Sequence, residues 1–199
     1  PEYDKLILSA NHDELAVVIY YSPISTWDGA SVSSELSGSG TEADPYLIQS
    51  AADFVYLKNG KFTRKYFKLT TSINLAGKSF TIPAFEGILD GNHCSIRGIN
   101  VSSTTNNTGL FSTLGEGSIV HDLSLYGKVS GAQYTGALAG VASGLVRNVV
   151  NFATVSGAGN LGGVVGNSAN TSRITDCANY GEIVNETSTA GGIFGAPAD

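Results

Sequence analysis

Apolar residues along this chain recur in short segments that repeat in the same order, not in long amphipathic runs. When the segments after about residue 86 are aligned, their apolar positions form columns. The columns hold Ile96, Val120, Val146 and Ile174, then Ile99, Leu123, Val149 and Cys177, and then Val129, Val155 and Ile183. Apolar residues that alternate with polar ones are typical of strands with one buried face. The columns therefore predict strands that stack from one repeat to the next.

A glycine-containing hexad runs in phase with these columns. It occurs as EGILDG (86–91), TGLFST (108–113), TGALAG (135–140), LGGVVG (161–166) and AGGIFG (190–195). The glycines at its second position are 22, 27, 26 and 29 residues apart. A period in the twenties, built from short strand-like segments, is typical of a β-solenoid, whose coils bury their apolar columns against each other about 4.8 Å apart. We predict an all-β solenoid of about four to five coils, with the hexad glycines at coil corners.

The pattern divides the chain into three regions. Residues 66–199 form the predicted solenoid, with repeats at 86–107, 108–134, 135–160 and 161–189 and a partial repeat at 190–199. In it, 66–75 is predicted as the entry strand, and Pro83 as the end of the next ladder. Residues 27–65 are interpreted as a linker or loop followed by a short helix near 50–58, with Ser50 as N-cap and Asp53 at the capping-box position. Residues 1–26 contain two strand-like runs around a turn at 11–13, which pack on the solenoid as a hairpin or belong to a preceding module.

Composition narrows the classes of function and partner. Charged residues are 14% of the 199 residues, and the net charge is −6. Lys and Arg are too scattered to follow a phosphate backbone, so we expect no nucleic acid partner. No run approaches 18 apolar residues, so we expect no membrane-spanning segment. Because the chain begins at Pro1 and its last hexad opens an incomplete coil, we expect a monomeric module of a larger chain.

The repeats resemble the GLUG-type repeats of bacterial surface proteins. Those repeats combine a G-G-L/I-V-G hexad with an I-x-N/D-C/S-x-x-x-G-x-V segment, and LGGVVGNSANTSRITDCANYGEI (161–183) follows this pattern. Residues 135–155 depart from it at Ala153, where Gly127 and Gly181 stand in the neighbouring repeats. The resemblance covers about residues 27–195. It implies a right-handed parallel β-helix in a secreted or cell-surface, adhesin-like bacterial protein, which we expect to be Gram-negative, and it carries over no catalytic residues.

A polar column of Asp122, Asn148 and Asp176, with Gly98 in the preceding coil, is the first candidate site. Asp122 and Asp176 would lie two coils apart, about 9.6 Å. That distance is near the upper end of the roughly 6.5–9.5 Å between the carboxylates of inverting glycosidases. Stacked Asp and Asn residues also form turns by hydrogen bonding to nearby backbone. The turn-forming interpretation is favoured, and no catalytic residue is predicted.

An aromatic column of Tyr126, Phe152 and Tyr180 is the second candidate site. If exposed, these rings would offer a flat surface on which sugar rings stack. If buried, they would stiffen the stack of coils. The phenylalanine in the middle favours burial, while Tyr126 and Tyr180 remain candidate binding residues. The neighbouring Asn151 and Asn179 are expected to form a structural amide ladder.

Histidine, cysteine and glycine motifs predict no metal and no cofactor. His93 lies near Asp90 and His121 precedes Asp122, but no third ligand has a credible spacing. Cys94 and Cys177 would lie about 14 Å apart, too far for a disulfide. Cys177 is predicted to be a buried free thiol, because it stands in an apolar column. The G-x-G-x-x-G spelling in GAGNLGG (157–163) precedes no helix-forming segment, so it predicts a turn rather than a nucleotide site.

Together these observations predict a non-enzymatic extracellular β-solenoid. Its role would be cell-surface adhesion, binding of glycan or matrix, or that of a structural spacer, with host or microbial glycans or surface proteins as partners. Two alternatives remain open. One is a carbohydrate-active enzyme, or a carbohydrate-binding segment of a larger hydrolase. The other is an accessory segment of a surface protease.

Overall fold

The structure, a computed structural model, describes residues 7–8, 17–18, 24–169, 171–185 and 189–197. Almost all of its regular structure is strand. Helix α1 spans Ala51–Tyr56 and continues as a 3-10 helix over Leu57–Asn59. Strands β1 to β22 span, in chain order, Ile7–Leu8, Val17–Val18, Ile24–Thr26, Tyr46–Ile48, Tyr66–Leu69, Ser72–Asn74, Ile82–Phe85, Ile88–Asp90, Ser95–Ser102, Phe111–Leu114, Ile119–Gly131, Thr135–Gly136, Ala139–Ala142, Leu145–Asn151, Thr154–Gly157, Leu161–Gly162, Val165–Ser168, Arg173–Thr175, Ala178–Asn179, Ile183–Asn185, Ala190–Gly191 and Phe194–Pro197.

Parallel pairing between successive coils generates the fold. On the first face, β7, β10, β13, β17 and β22 stack in that order. The second face stacks β4, β5 and β8 onto the start of β11, followed by the start of β14 and β18. The third face stacks β3, β6 and β9 onto the middle of β11, followed by the end of β14 and β19. These ladders confirm the predicted β-solenoid, which has about four turns.

Apolar columns run through the interior of the coils. Val120 pairs in register with Leu89 on one side and with Val146 on the other, and all three side chains are buried. Phenylalanine rings form another interior column, with centroids 5.8 Å apart between Phe67 and Phe85 and 5.4 Å apart between Phe85 and Phe111. Burying one such side chain stabilises a fold by about 1.5–3 kcal/mol. The interior columns are thus the main apolar contacts between coils.

Helix α1 covers the N-terminal end of the stack, as predicted. The hydroxyl of Ser50 accepts a hydrogen bond from the N–H of Asp53 at 3.2 Å, which confirms Ser50 as the N-cap. The Asp53 carboxylate accepts a hydrogen bond from the N–H of Gln49 at 2.9 Å. In a capping box the donor would be the N–H of the N-cap residue Ser50, one residue further on. Phe54 of the helix contacts the Phe80 ring, with centroids 6.0 Å apart. This contact places the helix against the chain that leads into β7, the end strand of the first face.

The regions before the helix also contact the solenoid or pair with each other. Val32 and Leu36 pack partly buried against the core, so residues 30–44 form a loop over the end of the solenoid. β1 and β2 pair antiparallel, with Ile7 opposite Val18. This pairing agrees with the predicted hairpin, whose turn at 11–13 lies outside the described residues.

The coil of residues 86–107 has a different register from the one predicted. Ile96 pairs with Leu125 rather than with Val120, and Ile99 lies opposite Gly127. The cause is a longer corner. Four residues, 91–94, separate Asp90 from Ser95, whereas only residues 122 and 123 separate their partners His121 and Ser124 in the next coil. Gly98 therefore belongs to the following corner and not to the column of Asp122.

The segment before this coil also differs from the prediction. Residues 66–75 form two strands, β5 and β6, separated by a bend at Thr70 and Thr71, rather than one entry strand. Pro83 lies inside β7, where Ile82 pairs with Phe111, and does not end the ladder. Because β7 is the end strand of its sheet, the missing N–H of proline leaves no neighbouring strand unpaired.

The hexad glycines lie at a corner, as predicted, and the reason is close backbone approach. β12, β16 and β21 pair so that Gly136, Gly162 and Gly191 are in register, just before the bend into the first face. A Cβ on Gly136 would overlap the carbonyl oxygen of Ala139 and lie 2.6 Å from the Gly166 nitrogen. Gly87 is not part of this column, because it precedes β8 on the second face.

We expect Gly136→Ala to destabilise the protein by about 1–3 kcal/mol, since the added methyl group has no room at the corner. Urea unfolding followed by circular dichroism measures this change. Gly192→Ala is the matched control, because a Cβ there meets no atom of the described residues within 4 Å, and its effect should stay within about 0.5 kcal/mol. Equal effects of the two substitutions would contradict the close-approach explanation.

Candidate functional site

The second face carries a line of charged side chains. In the order of the coils, register pairing places Lys68, Asp90, His121 and Arg147 side by side. Each residue follows an interior apolar residue of its strand, and successive side chains of a strand point to opposite faces. Every coil therefore adds one polar side chain to the same outer line.

Asp90, His121 and Asp122 form a compact cluster on this line. Nδ1 of His121 lies 2.7 Å from Oδ2 of Asp122 and 3.8 Å from Oδ1 of Asp90. The other oxygen of each carboxylate has its own partner. Oδ2 of Asp90 lies 3.4 Å from Nζ of Lys68, and Oδ1 of Asp122 accepts a hydrogen bond from Nδ2 of Asn148. In each carboxylate, one oxygen therefore lies near the imidazole and the other contacts Lys68 or Asn148.

The surroundings of Asp122 favour its ionised form. Burial opposes the negative charge, but hydrogen bonds from Asn148 and His121, together with the charges of His121 and His93, outweigh that effect. The pKa of Asp122 therefore lies below its usual value of 3.8. A general acid that works near neutral pH needs a raised pKa. Asp122 is accordingly not arranged to protonate a leaving group.

A pocket of about 250 Å³ opens beside the cluster. Asp90 and His121 line it together with Lys68 and Tyr66, and Glu42 reaches it from the loop before β4. Because the cluster borders an open pocket, a small polar ligand or a water molecule can approach it from solvent.

The polar column of Asp122, Asn148 and Asp176 has the turn-forming geometry that was expected. The φ angles of these residues are 56°, 51° and 56°, in the left-handed region that Asp and Asn tolerate better than most residues. Asn148 donates its hydrogen bond to the Asp122 carboxylate, so this contact joins two side chains rather than a side chain and nearby backbone. Asn148 stands between the two aspartates in the column, and Asp176 is exposed.

The aromatic column lies on the outside of the solenoid, so its expected burial is wrong. Phe152 is 42% and Tyr180 is 73% exposed. Ring centroids are 4.7 Å apart between Tyr126 and Phe152 and 5.3 Å apart between Phe152 and Tyr180, with interplanar angles of 5° and 18°. These spacings are close to the roughly 4.8 Å between paired strands. In-register pairing by itself therefore brings the rings face to face, whether or not they are buried.

Stacking decides which part of each ring a ligand can reach. Phe152 has a tyrosine on both faces, and the Arg97 guanidinium of the preceding coil lies 4.6 Å from the centre of the Tyr126 ring. The ladder therefore shows ring edges along its length, not the flat surface expected of an exposed column. Among the rings of the ladder, Tyr180 alone keeps a face that no aromatic or cationic group of the described chain covers.

The amide ladder beside the rings is confirmed. Nδ2 of the buried Asn151 donates to Oδ1 of Asn179 at 2.8 Å. Each amide also bonds to backbone two residues further on, to Ala153 and to Gly181. The amides thereby fix the corner that presents the aromatic rings to solvent.

Cys94 and Cys177 are not joined by a disulfide bond. Cys94 is buried, whereas Cys177 is half-buried and packs against the core. Burial raises the pKa of the Cys177 thiol, a hydrogen bond from the backbone of Val149 opposes that shift, and the charge of Asp176 adds to it. Cys177 therefore behaves as a small apolar residue.

The contact between Asp90 and His121 is the feature that sequence reasoning missed. The predicted alignment of Ile96 with Val120 placed the wrong residues of coil 86–107 beside the next coil, so Asp90 was not aligned with His121. The available signal was Leu89, whose alignment with Val120 places Asp90 beside His121. The expectation that no third ligand has a credible spacing is therefore wrong, since Asp90 supplies a third ligand-type atom within 4.8 Å of those of His121 and Asp122.

Comparison with known proteins finds similarity to parts of two much longer ones. No family model and no solved structure matches the chain. Halomucin of Haloquadratum walsbyi is 33% identical over 147 residues, which are 65% of this chain and 2% of halomucin. A protein of Evansella cellulosilytica named as a Gly-rich membrane protein is 34% identical over 130 residues, which are 56% of this chain and 15% of that protein. Within the described residues, no helix has the length and apolarity needed to cross a membrane.

We expect Asp122→Asn to make the free energy of unfolding depend less on pH in the acidic range. The pKa of Asp122 in the folded protein lies below its unfolded value of 3.8. Its carboxylate therefore stabilises the fold above about pH 3.8, and this stabilisation is lost as the pH falls from 3.8 through the folded pKa. Asparagine keeps the left-handed conformation but cannot ionise. Urea unfolding at pH 5 and at pH 2.5 should show a larger difference between the two proteins at pH 5.

Asn148→Gly serves as a second variant in the same pH measurement, because glycine keeps the left-handed conformation. It removes one of the hydrogen bonds that lower the pKa of Asp122, so its effect should have the same sign and be smaller. A difference between wild type and Asp122→Asn that is equal at both pH values would contradict this account of Asp122.

We expect Phe152→Ala to destabilise the fold by about 1–3 kcal/mol, because it removes two stacked ring pairs worth about 0.5–1.5 kcal/mol each. Urea unfolding provides the measurement. Val184→Ala is the control, since Val184 is 41% exposed, much like Phe152, but has no ring partner. Its effect should stay within about 0.5 kcal/mol. A loss for Phe152→Ala as small as this control would show that the ladder does not stabilise the coils.

Proposed function

We propose that this chain is a non-enzymatic, extracellular segment of a larger cell-surface protein, which contacts glycans or matrix through its aromatic ladder. The observation that carries the proposal is the line of stacked rings on the outer surface, with Phe152 and Tyr180 substantially exposed. Contiguous apolar surface that stays in water is typical of a contact site. Because the ladder is fixed to paired strands, it would bind a partner with little loss of side-chain freedom.

Two comparisons support the extracellular part of the proposal. The names of the relatives, a halomucin and a membrane protein, both point to the cell surface. The chain spans only 2% and 15% of their lengths, which favours a repeat-built module of a long protein. Halomucin is archaeal, so the expected Gram-negative source gains no support. The resemblance to GLUG-type repeats remains part of the proposal.

The stacking geometry indicates how a glycan would be held. Tyr180 stacks on Phe152 with one ring face and is 73% exposed. The apolar face of a sugar ring would contact the exposed ring of Tyr180. The tyrosine hydroxyl offers a hydrogen bond at the rim of the same contact.

A rigid spacer is the second candidate function. The interior columns and the parallel ladders continue through about four turns, an arrangement that resists bending without any ligand. The carbohydrate-active alternative gains no support from Asp122, whose pKa is lowered rather than raised.

A glycan array and a cell-binding assay with the purified chain test the contact role. We expect binding by the wild type and a loss of more than about tenfold in affinity for Tyr180→Ala, because a central aromatic contact typically contributes over 1.4 kcal/mol. Tyr180→Phe keeps the ring and should retain most of the affinity. Val184→Ala, at another exposed apolar side chain, should bind as the wild type does.

Two outcomes would count against the contact role. Absence of wild-type binding to every glycan, cell and matrix surface would leave only the spacer. Binding that is unchanged in Tyr180→Ala would mean that contact occurs elsewhere on the solenoid.

A further inference from the structure

We propose that Asp90, His121 and Asp122 form a binding site for a divalent transition-metal ion of the Zn²⁺ class, at the wall of the second-face pocket. This site is separate from the aromatic ladder and does not depend on the proposed function. It rests on three ligand-type atoms that parallel pairing of neighbouring coils brings together.

The distances within the cluster suit one small ion. In a tetrahedral site with metal–ligand bonds of about 2.0–2.1 Å, neighbouring ligand atoms are about 3.3 Å apart. The distances from Nδ1 of His121 are 2.7 Å to Asp122 and 3.8 Å to Asp90, one shorter and one longer than that value. Shifts of about half an ångström, within the reach of side-chain rotation, would bring the imidazole nitrogen to this spacing from each carboxylate, and all three ligand atoms lie within 4.8 Å of one another.

The outer partners of the carboxylates support the site. Metal ligands are usually oriented by a second hydrogen bond or charge on their far side. Asn148 holds the far oxygen of Asp122, and Lys68 lies 3.4 Å from the far oxygen of Asp90. Two carboxylates beside one imidazole would also offset the charge of the ion.

The donor set identifies the class of ion. One imidazole nitrogen with two carboxylate oxygens suits Zn²⁺ and similar first-row ions, whereas Ca²⁺ takes six to eight oxygen ligands. Three protein ligands leave a fourth position open, and Asp90 and His121 both border the pocket. Water or an oxygen atom of a small ligand would occupy that position.

Isothermal titration of the chelator-treated chain with Zn²⁺ at pH 7.5 tests the site. We expect one ion per chain in the wild type and more than about tenfold weaker binding in His121→Asn and in Asp90→Asn. Circular dichroism and urea unfolding would show that the variants remain folded.

Matched variants separate this site from other binding. Asp176→Asn is the control for Asp90→Asn, because Asp176 is exposed and outside the cluster, and this variant should bind Zn²⁺ as the wild type does. Cys177→Ser should also leave binding unchanged.

Three results would overturn the proposal. One is the absence of stoichiometric Zn²⁺ binding by the wild type. Another is unchanged affinity in both His121→Asn and Asp90→Asn. The third is one-to-one binding of Ca²⁺ without binding of Zn²⁺, which would mean that the imidazole is not a ligand.

Discussion

In-register parallel pairing between neighbouring coils is the constraint on which the rest of this structure depends. Backbone hydrogen bonds hold successive strands about 4.8 Å apart, so every residue lies beside its counterpart one coil away. Inside the solenoid this rule aligns Leu89, Val120 and Val146 into one buried column. Outside, the same rule brings Phe152 within stacking distance of two tyrosines. Core and surface ladders are thus two products of a single register.

Corners absorb the differences in length that would otherwise break this register. The four residues 91–94 occupy the corner that two residues form in the next coil, and the strands on both sides still pair. Close backbone approach at Gly136 and left-handed residues such as Asn148 serve the same purpose at other corners. Irregularity is therefore confined to the corners, where it does not disturb the interior columns.

The surface features follow from the same arrangement and give the module two distinct chemistries. The aromatic ladder lies at the corner after the third face and offers ring edges and the exposed ring of Tyr180. The Asp90–His121–Asp122 cluster lies on the second face beside a pocket and offers oxygen and nitrogen ligands. Neither depends on a loop of its own, since both are built from residues that neighbouring coils bring together. A long protein assembled from such coils could vary its surface chemistry without changing its core.

The sequence by itself determined the solenoid class, the N-cap at Ser50, the amide ladder of Asn151 and Asn179, and the turn-forming column of Asp122, Asn148 and Asp176. Each of these follows from the identities of residues that recur at a fixed period or cap a local element. Only the tertiary structure decided the register of coil 86–107, the exposure of Phe152 and the meeting of Asp90 with His121. The register depends on how many residues a corner holds, and the meeting of Asp90 with His121 follows from that register. The exposure of Phe152 depends on whether a side chain at a corner points outward. Side-chain direction and corner length are set by backbone geometry, and residue type alone does not specify them.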